Sequence, residues 1–244
     1  MPPEVLTIEA LEVFEEDRFR RAGIELYDLA FGFLRRTGVQ FRILPQGMGL
    51  SRVVNHLIWQ ADHHLEFLDG KIIHPDQVIH VATHCLLDRL WPEAGPERLL
   101  LAETLASATD LYLLGKLMRA GEEATFLEDT LGSFDYYFEL YGSTSPPLEE
   151  LLQTIHDAPF RAMMDLSDYL FRFCLPFLRG TIDEQTLTRS VEKNQPFYPL
   201  IHHYHVTNWI LNLRARFPDP PRQNHPPDLW EDEAAMLAAF APRP

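Results

Sequence analysis

Residues 75–91, PDQVIHVATHCLLDRLW, predict one buried helix around which the rest of the chain can be organised. A proline at its first position suits a helix start, and a proline just beyond its end suits a stop. Apolar residues occupy nearly every side of this helix, which is typical of a buried helix. His80, His84 and Asp88 are four residues apart, so they share one stripe of its surface. Two imidazoles on a buried helix require polar partners, which other helices must supply.

Length and charge limit the class of protein. The chain has 244 residues, enough for one substantial core. Its net charge of −15, from 36 acidic and 21 basic side chains, argues against a surface for nucleic acid. Cys85 and Cys174 lie in apolar helical patterns, so they predict buried thiols. The sequence shows neither a signal peptide nor an apolar stretch of about 20 residues, so we expect a soluble cytoplasmic protein with no membrane span.

Nearly every segment of the chain has a helical period. The sequence therefore predicts an all-α fold, a multi-helix bundle with a four-helix-like central core. Only residues 39–44 alternate as a strand does, and this short piece is either a lone extended segment or a connector. The predicted helices span residues 7–21, 24–36, 51–68, 75–91, 97–120, 122–141, 148–157, 160–178, 181–194 and 197–216, followed by a last helix that Asp228 caps.

The domain limits follow from breaks in this pattern. One helical domain is predicted over residues 1–217, with residues 143–147 as a candidate sub-boundary. Residues 218–227 are rich in proline and predict an extended, semi-rigid linker. Residues 228–244 then form a C-terminal helix, which either packs on the body of the protein or binds a partner. A second copy of the chain is one such partner, which would make the protein a homo-oligomer.

Two carboxylates stand out on the apolar helix at 97–120. Glu103 and Asp110 are seven residues apart and project from the same side. A buried carboxylate is costly unless a cation, a donor or a metal lies beside it. The alternative is that this side is a thin wet face on which both groups are solvated. Asp88 ranks lower as a ligand because it lies near Arg89 and the helix end.

The remaining candidates are histidines. His64 lies near the apolar side of its helix, where a core histidine and a metal ligand are equally good interpretations. His202 and His205 belong to a cluster rich in histidine and tyrosine, and His203 is expected to be the most exposed histidine there. The alternative for this cluster is aromatic packing, with each imidazole bonded to a backbone carbonyl. His84 or His202 could also serve a haem or another cofactor.

The absence of several known motifs excludes the active sites that depend on them. His80 and His84 have a spacing that allows two ligands on one ion from one helix. No glutamate follows His80, so the metalloprotease motif is missing, and no Glu-x-x-His pair indicates a ferritin-like di-iron site. The chain also lacks a glycine-rich phosphate loop, a Gly-x-Ser-x-Gly elbow and a Cys-x-x-Cys pair.

These observations favour a helical bundle that binds a divalent iron, zinc or manganese ion in its interior. Such a protein would be a metal-dependent oxidoreductase acting on a small apolar substrate, or with zinc a hydrolase. The alternative is a non-catalytic helical protein whose C-terminal arm docks a partner or a second subunit. The predicted ligands of the metal come from the following set: His80, His84, Glu103, Asp110, His64, His202 and His205.

Overall fold

The computed structural model describes residues 4–43, 65–68, 70–92, 95–181, 195–217 and 229–242. Ten α-helices and two short sheets occur within these ranges, so the predicted all-α multi-helix fold is confirmed. The four-helix-like central core stays a prediction. The helices are α1 (Glu16–Arg21), α2 (Glu25–Thr37), α3 (Pro75–Leu90), α4 (Pro96–Ala120), α5 (Thr125–Tyr141), α6 (Leu148–Asp157), α7 (Pro159–Leu178), α8 (Tyr198–His203), α9 (Val206–Arg216) and α10 (Glu233–Phe240).

Contacts within the chain divide it into two compact units. Unit 1 comprises Met1–Pro92 and Trp230–Pro244, and unit 2 comprises Glu93–Leu229. The segment at 143–147 lies inside unit 2, because α5 and α6 on either side of it both pack against α4. Whether residues 1–217 behave as one domain stays a prediction. Within the ranges that the structure describes, no helix is long and apolar enough to cross a membrane.

Unit 1 contains the strands. The extended segment predicted at 39–44 is observed, but it is neither alone nor a connector. It forms the central strand of a three-stranded sheet, antiparallel to one neighbour and parallel to the other. A second, two-stranded sheet is parallel. The strands are β1 (Glu4–Thr7), β2 (Glu12–Val13), β3 (Gln40–Ile43), β4 (Leu65–Leu68) and β5 (Ile72–Ile73), and the three-stranded sheet has the order β1-β3-β4.

Two helix predictions in unit 1 need correction. The helix predicted over 7–21 begins only at Glu16, because β1, a 3₁₀ turn and β2 precede it. Ile8 and Leu11 are buried three residues apart, a spacing that suggests an α-helix but here belongs to the 3₁₀ turn. The helix predicted over 51–68 is wrong at its end, since Leu65–Leu68 forms β4, and the rest of it lies outside the described ranges.

The C-terminal helix α10 belongs to unit 1 and packs against α2. Met236 and Phe240 are both buried, and the Phe240 ring meets Phe33 edge-on, with 5.8 Å between centroids. The guanidinium of Arg36 donates a 2.7 Å hydrogen bond to the Phe240 carbonyl. Of the two interpretations of this helix, packing on the body is therefore observed. The helix is capped by Asp232, whose carboxylate accepts from the Ala235 N–H at 2.8 Å, and Asp228 lies outside the described ranges.

Unit 2 is organised around α4, which packs mainly against α7 and also contacts α5, α6 and α9. Nearly all of its 25 residues are buried, as its apolar sequence predicts. Gly115 allows a close approach, because a Cβ at this position would lie 2.8 Å from the Pro159 Cγ. The buried thiols predicted for Cys85 and Cys174 are confirmed, and neither forms a disulfide.

The helix predicted over 197–216 is interrupted. It forms α8 and α9, which are separated by Tyr204 and His205. His205 adopts a left-handed backbone conformation with φ of +50°, which stops α8 and redirects the chain into α9. The pattern of apolar residues continues through this break, so the sequence does not predict the break. The helix predicted at 181–194 and the linker at 218–227 fall on residues that the structure does not describe, apart from Thr181.

Candidate metal centre

The histidine pair lies on α3, within unit 1. The Gln77 side chain accepts a 3.0 Å hydrogen bond from the His74 N–H, which fixes the first turn of this helix. The helix then runs without interruption to Leu90, so His80 and His84 project from the same side, one turn apart. Their Nε2 atoms are 3.2 Å apart, and their ring centroids are 4.9 Å apart. The predicted helix and the predicted alignment of the two imidazoles are both confirmed.

The environment of His80 controls its protonation. Burial of the ring lowers the pKa of His80 to about 4, because a charged imidazolium would lose its hydration there. At neutral pH this imidazole is therefore uncharged, and one of its nitrogens carries a lone pair that can accept a hydrogen bond or bind a metal. The 3.2 Å separation also fits a hydrogen bond in which one ring donates its Nε2–H to the other.

The same separation matches two ligands on one metal ion. Imidazole nitrogens bind zinc at about 2.0–2.1 Å, so two of them at angles between octahedral and tetrahedral lie about 2.8–3.4 Å apart. The observed 3.2 Å between the Nε2 atoms falls inside that interval. The pair therefore has the geometry of a bidentate chelate, and α3 does not have to move to form it.

Glu103 and Asp110 lie on α4, within unit 2, and their environments differ. Glu103 is 2% exposed and Ser107 is 5% exposed, so the alternative of a thin wet face is wrong for this carboxylate. Asp110 is half-buried and lies beside Tyr204. Burial and the neighbouring Asp110 carboxylate raise the pKa of the Tyr204 hydroxyl well above its ordinary value. The two carboxylates share a side of α4 but have different surroundings.

The remaining predicted ligands lie elsewhere or are not described. His202 stacks face to face on Tyr141, with 3.7 Å between ring centroids, and meets Tyr198 edge-on. The aromatic packing of the alternative interpretation is thus observed for His202, but its buried Nε2 atom has no hydrogen bond to a backbone carbonyl. His205 is exposed at the start of α9. His64 lies outside the described ranges. As metal ligands, these histidines and Asp110 stay predictions.

A polar pair that the sequence did not indicate lies between α5 and α8. The Nδ1 atom of His203 is 2.8 Å from the Ser133 Oγ, and the rings of Phe134 and Tyr137 meet the imidazole edge-on. The expectation that His203 is the most exposed histidine is wrong, since His205 is. The break after Tyr204 shifts the register of the helix face, and a regular helical wheel cannot anticipate that shift.

This serine–histidine pair has the contact of a nucleophile and its base, but its electrostatics argue for a structural role. Burial and the neighbouring His205 lower the pKa of His203 to about 4. A general base works best when its pKa lies near the operating pH, so His203 would be a weak one. The pair therefore satisfies two polar groups inside the packing of α5 against α8.

Comparisons with protein-family models, with curated proteins and with solved structures find no match for this chain. The class that fold and site define is thus an all-α helical protein with a candidate metal site. The chemistry of His80 and His84 points most directly to a function, because both residues lie on one helix and the distance between them is set by that helix.

Proposed function

We propose that this protein binds a divalent transition-metal ion through His80 and His84, with Glu103 as the third ligand. The observation that carries the proposal is the 3.2 Å separation of the two Nε2 atoms on α3. The lowered pKa of His80 supports it, because a metal would not have to displace a proton from this ring at neutral pH.

The chemistry of a buried carboxylate supports Glu103 as a ligand of the metal. An ionised carboxylate loses hydration when it is buried, and a bound cation would stabilise its charge. With Glu103 only 2% exposed, that stabilisation would be large compared with the same contact at the surface. Its role as a ligand is therefore tested separately from that of the histidines.

Two histidines and one carboxylate leave coordination positions open. This ligand set suits iron(II), and it is also compatible with zinc or manganese. When bound, iron would supply oxygen-dependent oxidation of a small apolar substrate, and zinc would supply hydrolysis by activated water. We favour the oxidoreductase. The contribution of the chain is to hold His80 neutral and both imidazoles in one orientation.

The test is metal analysis of tag-free protein, with a visible spectrum of the fresh sample. We expect metal bound at a fixed ratio to the chain and no haem absorption. His80→Ala and His84→Ala should each weaken binding by at least about 10–100-fold, the loss that even an outer-shell partner of a metal ligand causes. His156→Ala is the matched control, because the His156 side chain on α6 is 42% exposed and its loss should leave binding unchanged.

Glu103→Gln keeps the shape of the side chain and removes its charge. We expect this variant to fold, as circular dichroism would show, and to bind the metal more weakly than wild type. Unchanged affinity would remove Glu103 from the ligand set but leave the histidine pair. Metal-free wild-type protein that takes up no iron, zinc or manganese on titration would overturn the whole proposal.

A further inference from the structure

The outward side of α5 exposes two large apolar residues. Tyr136 and Leu140 are 56% and 53% exposed, and they are one helical turn apart, so they form a single stripe. Scattered exposed apolar residues are common, but adjacent ones rimmed by polar groups are typical of interaction surfaces. Tyrosine in particular is enriched where proteins bind each other.

Carboxylates line one flank of this stripe. Glu128, Asp135 and Glu139 are exposed and recur seven and eleven residues apart, so they lie along the same edge of the helix. The sequence of α5 contains no lysine or arginine that could pair with them inside the helix. Glu139 also lies in the last turn, where the helix dipole disfavours negative charge. Glu128 lies in the first turn, where the dipole favours negative charge, so the helix dipole accounts for this carboxylate but not for Asp135 and Glu139.

The opposite side of α5 is already packed. Thr130 and Phe134 are buried, and Ser133 and Tyr137 contact His203 of α8. The helix thus has an inner face that holds it in unit 2 and an outer face that is acidic and apolar. We define the acidic apolar face of α5 by the following residues: Glu128, Asp135, Tyr136, Glu139 and Leu140.

We propose that the acidic apolar face of α5 docks a basic amphipathic helix of another protein. Anchors spaced by one turn are recognised by apolar residues on a partner helix, and the carboxylate edge would pair with its lysines or arginines. A second copy of this chain is a poor occupant, because both carry a net charge of −15 and the carboxylates would face each other. Charge complementarity therefore selects a cationic partner.

The probe is a fluorescein-labelled helical peptide of leucine and lysine with an amphipathic period, added to the full chain at physiological salt. A scrambled peptide of the same composition is the control, because it keeps the charge and loses the apolar stripe. We expect binding of the first peptide and at least about tenfold weaker binding of the second, since two buried anchors contribute more than 1.4 kcal/mol. Hydrogen exchange should slow in α5 when the first peptide binds.

Two matched pairs of variants locate the binding site. Tyr136→Ser with Leu140→Ser should weaken binding at least about tenfold. Val5→Ser with Leu211→Ser should leave it unchanged, because these residues are 44% exposed on other elements. The charge variants are compared at equal net charge: Glu128→Gln, Asp135→Asn and Glu139→Gln on α5 against Glu149→Gln, Glu150→Gln and Glu231→Gln elsewhere on the surface.

Only the α5 charge variant should bind more weakly and show a shallower dependence on salt. Equal losses in both charge variants would overturn the proposal, since they would indicate attraction to the overall negative charge. Equal binding of the scrambled peptide would overturn it as well. If the wild-type chain sediments as a dimer and the Tyr136/Leu140 variant as a monomer, the occupant is a second copy and the proposed partner is wrong.

Discussion

Burial acts in the same direction on three histidines of the described chain. The pKa of His80, His202 and His203 is lowered in each case, with loss of hydration as the main cause. A lowered pKa means that the folded protein binds fewer protons than the unfolded chain at mildly acidic pH. These side chains therefore serve as neutral groups, either in packing or as nitrogen donors to a metal.

His203 gives a prediction for stability against pH. Its pKa falls from 6.5 to about 4 on folding, so between these values the unfolded chain binds the extra proton. Stability is then full above pH 6.5 and falls as the pH drops, with a loss of about 3 kcal/mol once His203 is protonated in the fold. Urea unfolding between pH 4 and 7 would measure this slope in wild type and in His203→Asn.

The variant should show a smaller slope than wild type. Ser133→Ala serves as the control, because it removes the hydrogen bond to His203 but keeps the buried imidazole, so it should keep the slope of wild type. If His203→Asn and wild type lose stability in parallel as the pH falls, another group causes the acid sensitivity.

A second prediction at the residue scale concerns an ion pair in unit 2 whose carboxylate is buried. Arg179 donates two hydrogen bonds to Glu97, at 2.7 and 3.1 Å, and the Glu97 side chain is 7% exposed. Arg179→Met removes this partner and should lower the free energy of unfolding by about 1–3 kcal/mol. Arg172→Met is the control, because the pair with Asp168 is solvated and should change stability by less than about 0.5 kcal/mol. Chemical denaturation distinguishes the two, and equal effects would refute the prediction.

Among the elements, helix limits follow closely from local signals. The helix at 148–157 is observed at those limits, and α2 ends at Thr37, just before Gly38, whose φ of +69° suits glycine. By contrast, the break between α8 and α9 depends on how the two pieces pack. His205 has a left-handed backbone with φ of +50°, and no glycine marks this position in the sequence.

Helix packing around α4 gives the third prediction. Gly115→Ala would place a Cβ 2.8 Å from the Pro159 Cγ and closer still to the Ile155 carbonyl oxygen, so α6 and α7 would have to move. We expect a loss of about 1–3 kcal/mol in unfolding free energy, although alanine is the better helix former. Gly132→Ala on α5 is the control, because nothing lies within 4 Å of its added Cβ. The unfolding free energy of that variant should rise by up to about 1 kcal/mol. Thermal unfolding measures both variants, and a neutral Gly115→Ala would contradict the packing argument.

At the scale of the whole molecule, the path of the chain is the main finding. Unit 1 is built from two pieces that are distant in sequence, because α10 returns to α2. Unit 2 is one continuous stretch between them. Residues near both ends of the chain therefore contribute to the stability of the same unit.

This path predicts that the C-terminal helix is structural. Phe240→Ala should lower the stability of unit 1 by about 3–5 kcal/mol, because the side chain is fully buried against Phe33. Leu237→Ala, on the half-buried side of α10, should cause a much smaller loss. Hydrogen exchange of α2 reports on unit 1 directly. If Phe240→Ala left α2 protected but abolished binding to a partner, α10 would be a docking arm instead.

The sequence by itself determined the helical class, most helix limits and the alignment of His80 with His84. These features depend on a period of about 3.6 residues, on prolines and glycines at helix ends and on local spacing, all of which act within a few residues. It could not determine the strands at residues 4–13, because a pairing partner such as β3 is recruited from distant sequence.

Only the tertiary structure decided which polar groups are buried and which neighbours they have. Glu103 turned out buried, Asp110 lies beside Tyr204, and His203 bonds to Ser133. A helical wheel shows which side a residue faces, but the partner on that side comes from another helix, which packing alone selects. For the same reason, the sequence left open whether α10 packs on the body, and the structure places it against α2.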